Sequence, residues 1–230
     1  MEFMGAYEMK LALRNIKARR FGAILDEVKA QAGLGMKMTQ LRRMHFGFLI
    51  AKGRKLVRED EESGLSWLLL KPDDVPTYVE YGVADLGIVG RDVLMERDYD
   101  VLAPVDLDIG KCRMMVCGLP KASLEGKRER PLRVATKFPH IAERHFRGRG
   151  TPVELIFCQG SVELAPLTGL ADVIVDLVET GETLRQNGLV PLEHMHDISS
   201  RLVVNKASMK MKHERITDFI ARVKAAVAHA

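Results

Sequence analysis

Aromatic residues are scarce in this chain of 230: Phe, Tyr and Trp together make up 6% of it, with a single Trp. Proteins that grip single-stranded nucleic acid stack bases on such rings, so a stacking platform has little to be built from. The cysteines are only three, Cys112, Cys117 and Cys158, an odd set without a CxxC pair. That excludes a disulfide scaffold and suits reduced thiols in a cytoplasmic protein. No run reaches the roughly 18 to 20 apolar residues of a spanning helix, because the stretches around Leu68 and Val173 are cut by charge. The opening Met1-Glu2-Phe3-Met4-Gly5 has neither the basic nor the apolar part of an export signal. Nine Pro and 19 Gly are too few for a collagenous or low-complexity chain, while a 47% apolar share suffices for one or two cores. The expectation is a globular protein with no membrane association.

Charge is present but unevenly placed. The formal net charge is +4, yet between Lys10 and Arg58 thirteen Lys or Arg face only Asp26 and Glu27, so the remainder is net acidic. A basic stretch attracts polyanions: nucleic acid, an acidic partner or a phosphorylated metabolite. A merely solvated face accounts for it equally well, and charge alone does not choose.

Short β-branched runs alternate with turn signals and helix-like stretches, the pattern of an α/β protein with a largely parallel sheet. Strands are expected at Lys10 to Arg14, Leu65 to Leu70, Asp85 to Gly90, Cys112 to Cys117, Leu132 to Thr136, Val153 to Cys158, Asp172 to Val178 and Leu202 to Asn205. Phe21, Ile24, Leu25 and Val28 fall at i, i+3, i+4 and i+7, one apolar helical stripe ended by Gly33. Asp73 or Asp74 caps a helix that tolerates Pro76 in its first turn and closes at Gly82. Helices are also expected near Pro139 to Phe146, Ser161 to Leu167 and Gly181 to Asn187. Ile216, Phe219, Ile220, Val223 and Val227 form a closing amphipathic helix. The regions around Pro104 and Leu184 to Pro191 read as crossings between two lobes. That gives one lobe from residues 10–101 with 185–230, and a second from 102–184.

The segment from Ala171 to Leu184 carries the most chemistry. A buried strand ends in Asp176, and Glu179-Thr180-Gly181-Glu182-Thr183 then opens into a helix. Ligands of open α/β sheets sit at the carboxyl ends of strands, where a helix start offers N–H groups to an anion. Phosphate suits that turn, with Gly181 for close approach and the Thr180 and Thr183 hydroxyls as donors. Asp176 and Glu179 would repel it, and serve better for sugar hydroxyls or for Mg²⁺ held through water. The segment is equally an ordinary helix start capped by Thr180, and both readings stand.

Blocks of sequence resolve the choice by resemblance. Gly160 to Leu167, Gly169 to Asp172 and Asp176 to Leu184 are similar to the ATP phosphoribosyltransferase family, which carries out the first step of histidine biosynthesis. Asp74 to Gly82, Ala84 to Leu94, Gly110 to Arg113 and Arg133 to Lys137 agree in the same order, over about Arg54 to Ser208. The resemblance implies a two-lobed fold like type II periplasmic binding proteins, with the active site between lobes. It implies transfer of the 5-phosphoribosyl group of phosphoribosyl diphosphate to N1 of ATP, with pyrophosphate leaving and Mg²⁺ accompanying the substrates. Phosphoribosyl diphosphate would lie on Glu163, Asp176, Glu179, Thr180, Gly181, Glu182 and Thr183. ATP and polyphosphate would lie on Lys17, Arg19, Lys71, Asp85, Gly90, Arg91, Asp92, Arg113 and Lys137. No side chain is named as acid or base, since adenine N1 is nucleophilic without one, and no firm protein ligand is named for Mg²⁺.

The resemblance thins towards the start. The family opens with a strand and a Lys-Gly-Arg turn before its first helix; here Lys17-Ala18-Arg19 takes that place. The literal Lys52-Gly53-Arg54 runs straight into Lys55-Leu56-Val57, leaving no room for the helix. Leu34 to Ile50 has no counterpart. The chain stops one helix after Ser208, so it resembles the short form of the family. That form works with a histidyl-tRNA synthetase-like regulatory subunit, in a hetero-oligomer containing a catalytic dimer.

Other residues support less. Cys112 reads as a small core residue. His140 with His145, and His194 with His196, lack the further ligands of a zinc site. A non-catalytic solute- or effector-binding module of the same fold is the alternative function. Nucleic acid is not expected as a partner.

Overall fold

The computed structural model describes residues 9–13, 57–60, 65–125 and 130–228. Within these the chain divides into two units. The first takes residues up to Leu94, Asp98–Gly110 and Ser199 onward; the second takes Met95–Arg97 and Lys111–Ile198.

In the first unit, apolar runs become strands β1 (Met9–Leu13), β3 (Leu65–Leu69), β4 (Leu86–Gly90) and β11 (Ser200–Asn205). Strands β2 (Val57–Asp60) and β5 (Val101–Asp106) lie at the two edges, and the order is β2-β3-β1-β4-β11-β5. β1 runs parallel to β3 and β4, whereas β2 and β11 run antiparallel to their neighbours. Every residue of β4 is buried because the sheet is covered on both faces. Leu86 and Ile88 meet helix α7 (His213–Ala228) through Ile216, Phe219, Ile220 and Val223, as the sequence periodicity requires. Val89 and Val203 face helix α1 (Val75–Glu80) instead, against Val75 and Val79. Gly87 lies directly beneath that helix. A Cβ there would sit 2.8 Å from both Val75 Cγ1 and Val79 Cγ2, so glycine is what lets α1 approach the sheet.

The second unit repeats the logic with strands β6 (Cys112–Gly118), β7 (Leu132–Thr136), β8 (Val153–Phe157), β9 (Val173–Val178) and β10 (Val190–Ile198), ordered β10-β6-β9-β7-β8. β7, β8 and β9 are parallel, while β6 and β10 are antiparallel additions. Alternate residues feed two cores. Val134, Val173 and Val175 pack on Ile141 and Phe146 of helix α3 (Pro139–Gly148). Ala135 and Ile174 pack on Val162, Ala165, Leu184 and Leu189 of the opposite face.

Three strands escaped sequence reading, all of them edges. β2 is short and charged. β5 carries Pro104, which an edge strand tolerates. β10 reads Val-Pro-Leu-Glu-His-Met-His-Asp-Ile and contains two irregularities of register, which erase a clean alternation. Two of these strands pair within the units described above. β5 pairs with β11, so the first unit extends to Gly110, and β10 pairs with β6, so residues 185–198 belong to the second unit. The helix expected on Phe21 to Val28 lies outside the described residues. Among the described residues no helix is long and apolar enough to cross a membrane.

Gly87→Ala is expected to destabilise the protein by roughly 1–3 kcal/mol, because two valine side chains and the helix they belong to must shift. Urea denaturation monitored by circular dichroism checks it; an unchanged midpoint would contradict this packing.

Candidate functional site

Parallel strands deliver their carboxyl ends to one edge of a sheet, so the loops after β7, β8 and β9 share an edge of the second unit. Each brings residues singled out in the sequence. Lys137 follows β7. Glu163 follows β8, at the start of the short helix α4 (Leu164–Leu167). Asp176 sits within β9, and residues 179–183 leave it. β6 is antiparallel, so its beginning reaches the same edge and sets Arg113 opposite Val178. Glu163, Asp176, Glu179, Thr180, Gly181, Thr183, Arg113 and Lys137 are thus gathered along one rim.

The turn after β9 opens directly into a short helix through a glycine. Gly181 adopts φ +77°, a left-handed conformation that a side chain would strain, and precedes helix α5 (Glu182–Gln186). The Thr180 hydroxyl accepts from the Glu182 N–H at 3.4 Å. Glu182 itself turns back along the helix, accepting from Arg185 at 3.0 and 2.6 Å and from Gln186 at 2.8 Å. Its side chain is therefore engaged by its own helix, because residues three and four apart on a helix are neighbours.

Asp176 is the electrostatic focus of the rim. Burial in the middle of the sheet pushes its carboxyl up to about 6; the Leu177 N–H, donating at 2.8 Å, and the nearby Lys137 ammonium pull it down, while Glu163 raises it further. Thr136, which the sequence reading passed over, lies just before Lys137. Its buried hydroxyl donates to the Val175 carbonyl at 2.7 Å and accepts from the Phe138 N–H at 2.9 Å. On the far side of this sheet Asp172 is clamped by Arg130 at 2.6 and 2.7 Å, which holds it at about 2, well below Asp176.

The first unit gathers a second rim. β3 leads to Lys71, and β4 ends in Gly90 before Arg91 and Asp92 open helix α2 (Arg91–Glu96). Arg91 N–H donates to the Ser199 carbonyl at 2.9 Å, and Asp92 is buried. β1 runs parallel to these strands and ends at the same rim, but Lys17, Arg19, Lys52 and Arg54 lie outside the described residues.

Asp85 does not join them. It precedes β4, about 16 Å of strand away from Gly90 at roughly 3.3 Å per residue. There it is buried, accepting from Ser208 Oγ at 2.7 Å and from Lys212 Nζ at 3.0 and 2.9 Å. Its carboxylate secures the corner between helix α6 (Lys206–Met211) and α7, beside Asn205, whose side chain accepts from Ser208 N–H and donates to Val79 O. Strand direction already set this acid apart, since Asp85 opens the strand that ends at Gly90, and it was placed with the rim residues only by the resemblance.

Cys112 and Cys117 stay in β6, and burial pushes the Cys117 thiol up to about 12, away from reactivity. Among the described residues no three His, Cys, Asp or Glu converge as a metal centre.

An α/β frame of two units with charged and hydroxyl-bearing strand-end loops is of the type II periplasmic-binding-protein class. The periplasmic aliphatic sulphonate binding protein SsuA from Escherichia coli matches at a TM-score of 0.55 over 97% of this chain and 74% of that one, at 13% identity, a likeness of fold alone. A more specific match is the ATP phosphoribosyl transferase (HisG:HisZ) complex from Thermotoga maritima, with TM-score 0.73 and 31% identity over 96% of this chain and all of that one. The family profile for ATP phosphoribosyltransferase matches residues 71–225. ATP phosphoribosyltransferase of Geobacter metallireducens is 50% identical over 203 residues, 86% of this chain and 92% of that protein. That of Nitrosococcus oceani is 55% identical over 175 residues, 76% and 81% of the two chains. The chain belongs to the ATP phosphoribosyltransferase family.

The raised Asp176 carboxyl makes a stability prediction. Between its ordinary 3.8 and about 6, the folded chain keeps a proton that the unfolded chain has released, so stability falls as pH rises through that window. Asp176→Asn, which keeps an acceptor for the Leu177 N–H, should recover roughly 1–3 kcal/mol at pH 7.5 and flatten that slope. Thermal unfolding at pH 4 to 8 checks it; a lower melting temperature at pH 7.5 would contradict the burial argument.

Proposed function

We propose that this chain joins phosphoribosyl diphosphate to ATP, with phosphoribosyl diphosphate held by the rim of the second unit and ATP by residues of the first. Adenine N1 attacks the anomeric carbon, the bond to the diphosphate breaks, and N1-(5-phosphoribosyl)-ATP and pyrophosphate leave, as in the first step of histidine biosynthesis. Supporting this is family membership, together with the one observation that carries the assignment: a half-buried carboxylate and a glycine turn opening into a helix occupy neighbouring positions at one strand end. The 5-phosphate would take the N–H and hydroxyl donors of Thr180, Gly181 and Thr183. The ribose hydroxyls would donate to Asp176, with Glu163 and Glu179 beside them. Such a division matches charge to chemistry, since the turn supplies donors and the acids supply acceptors.

Lys137 and Arg113 are assigned to the anionic diphosphate, whose departing charge they would stabilise. In the first unit Lys71, Gly90, Arg91 and Asp92 are assigned to ATP, with Lys17 and Arg19 from the segment after β1. Asp85 is assigned a supporting role under its own sheet, and Glu182 a helix-internal one. With two polyanions to hold and no proton to remove from adenine N1, positioning and electrostatics would supply most of the rate enhancement.

Magnesium suits this donor set as an ion that arrives on the substrate's phosphates. Oxygen-rich guests of that kind need few protein carboxylates, and the rim offers scattered acids and no dense cluster. When bound it would neutralise the diphosphate leaving group. A regulatory subunit of the histidyl-tRNA synthetase-like kind is proposed from the likeness to the Thermotoga complex, in a cytoplasmic hetero-oligomer that contains a catalytic dimer. The two units are proposed as the two lobes of the fold.

The direct test is spectroscopic detection of phosphoribosyl-ATP from ATP, phosphoribosyl diphosphate and Mg²⁺. Binding of either substrate without turnover would return the chain to a solute-binding role. Thr183→Ala should raise KM for phosphoribosyl diphosphate about tenfold or more, since a charged hydrogen bond is worth roughly 1.5–3 kcal/mol; unchanged kinetics would remove the phosphate assignment. Adding the regulatory subunit should increase turnover from a low level, and full, histidine-inhibited activity of the lone chain would contradict the partnership.

A further inference from the structure

The Thr136 hydroxyl occupies an unusual place. It is fully buried in the second unit, one residue before Lys137 on β7, and its bonded carbonyl belongs to Val175, one residue before Asp176 on β9. The two strands are in parallel register there, Thr136 opposite Val175. A single side chain therefore ties together the points at which both strands release their charged residues onto the rim.

The same oxygen also fixes the turn beyond. It accepts from Phe138 N–H at 2.9 Å, which folds the chain back over Lys137, and Phe138 is itself buried against α3. The Lys137 ammonium rests 5.9 Å from the centre of that ring, so the base of the lysine and the surface it lies along are held by one hydroxyl. A hydroxyl both donating and accepting is the smallest group able to do this; serine retains it, valine keeps the shape and loses both bonds.

We propose that Thr136 is a positioning residue that sets the Lys137 ammonium against the Asp176 carboxylate, and through them the registration of phosphoribosyl diphosphate. The inference deepens the reading given above and rests on it. Lys137 is among the charges that act on Asp176, consistent with the two side chains sharing one rim. Thr136 touches no substrate; it acts by holding the residues that would.

The test is a double-mutant cycle on the full-length chain with its regulatory subunit, using Thr136→Val, Lys137→Ala and the pair, with Thr136→Ser as the conservative control. Thr136→Val is expected to raise KM for phosphoribosyl diphosphate about tenfold, a size reached by ångström-scale misplacement of a binding group. KM for ATP should stay within about twofold, which a general loss of folded protein would not produce. Thr136→Ser should restore native values. In the Lys137→Ala background the valine substitution should add little, because the residue it positions is gone. Additive effects, or a native-like Thr136→Val, would overturn the proposal; Thr136→Cys carries the same cycle if the valine variant does not fold. Asp176→Asn and Thr183→Ala, measured alongside, separate the two levels. If neither moves KM for phosphoribosyl diphosphate, the site reading fails, and if both do while the cycle is additive, only the role of Thr136 fails.

Discussion

Partly burying a carboxylate in a sheet is costly, and Asp176 is held that way. It lies in β9 between β6 and β7, where burial raises its carboxyl to about 6 despite a backbone N–H and a nearby lysine. A half-buried acid of this kind gains when a ligand supplies donors in place of the water it has partly lost. Ribose hydroxyls are such donors.

The surrounding frame explains how the group stays in place. β9 is central in its sheet, with Val173 and Val175 packed on α3 and Ile174 packed on the opposite core, so neither face of the strand can shift alone. The loops that meet Asp176 leave neighbouring parallel strands, and their positions follow from strand register. The first unit follows the same principle with β4 buried on both faces. Its own buried acid is used differently: Asp85 is matched by Lys212 and Ser208, and it fastens the terminal helices. A buried charge kept with its partner in place is structural, and removing that partner is what makes it costly.

Asp85 and Asp176 show how far sequence reading extends. Both stand beside short runs of Leu, Ile and Val, and both lie in blocks shared with the family. One precedes its strand and the other lies near the end of its strand, which puts them at opposite edges of their sheets. The end of the strand at which each acid stands decides between the two roles, and Asp85 gains its partners only when residues of the terminal helices fold against it. Glu182 makes the same point, since its partners Arg185 and Gln186 become neighbours only when the helix forms. Thr136 went unremarked because a buried threonine in a β-branched strand looks like any other strand residue until its hydroxyl is seen bridging two strands.

From the order of residues alone came the α/β alternation, the central strands, the closing helix and the Asp176 to Thr183 segment as a strand end opening into a helix. Those features are local: hydrophobic period, glycine and proline punctuation, and the adjacency of a strand end to a helix start are all written along the chain. Tertiary structure decided the edge strands, the limits of the two units, which acids face a rim and which are buried with a lysine, and the bridging of β7 to β9. Most of these depend on residues far apart in the chain, from 39 positions for Thr136 with Val175 to 127 for Asp85 with Lys212, and only the folded sheet brings such residues within hydrogen-bond distance.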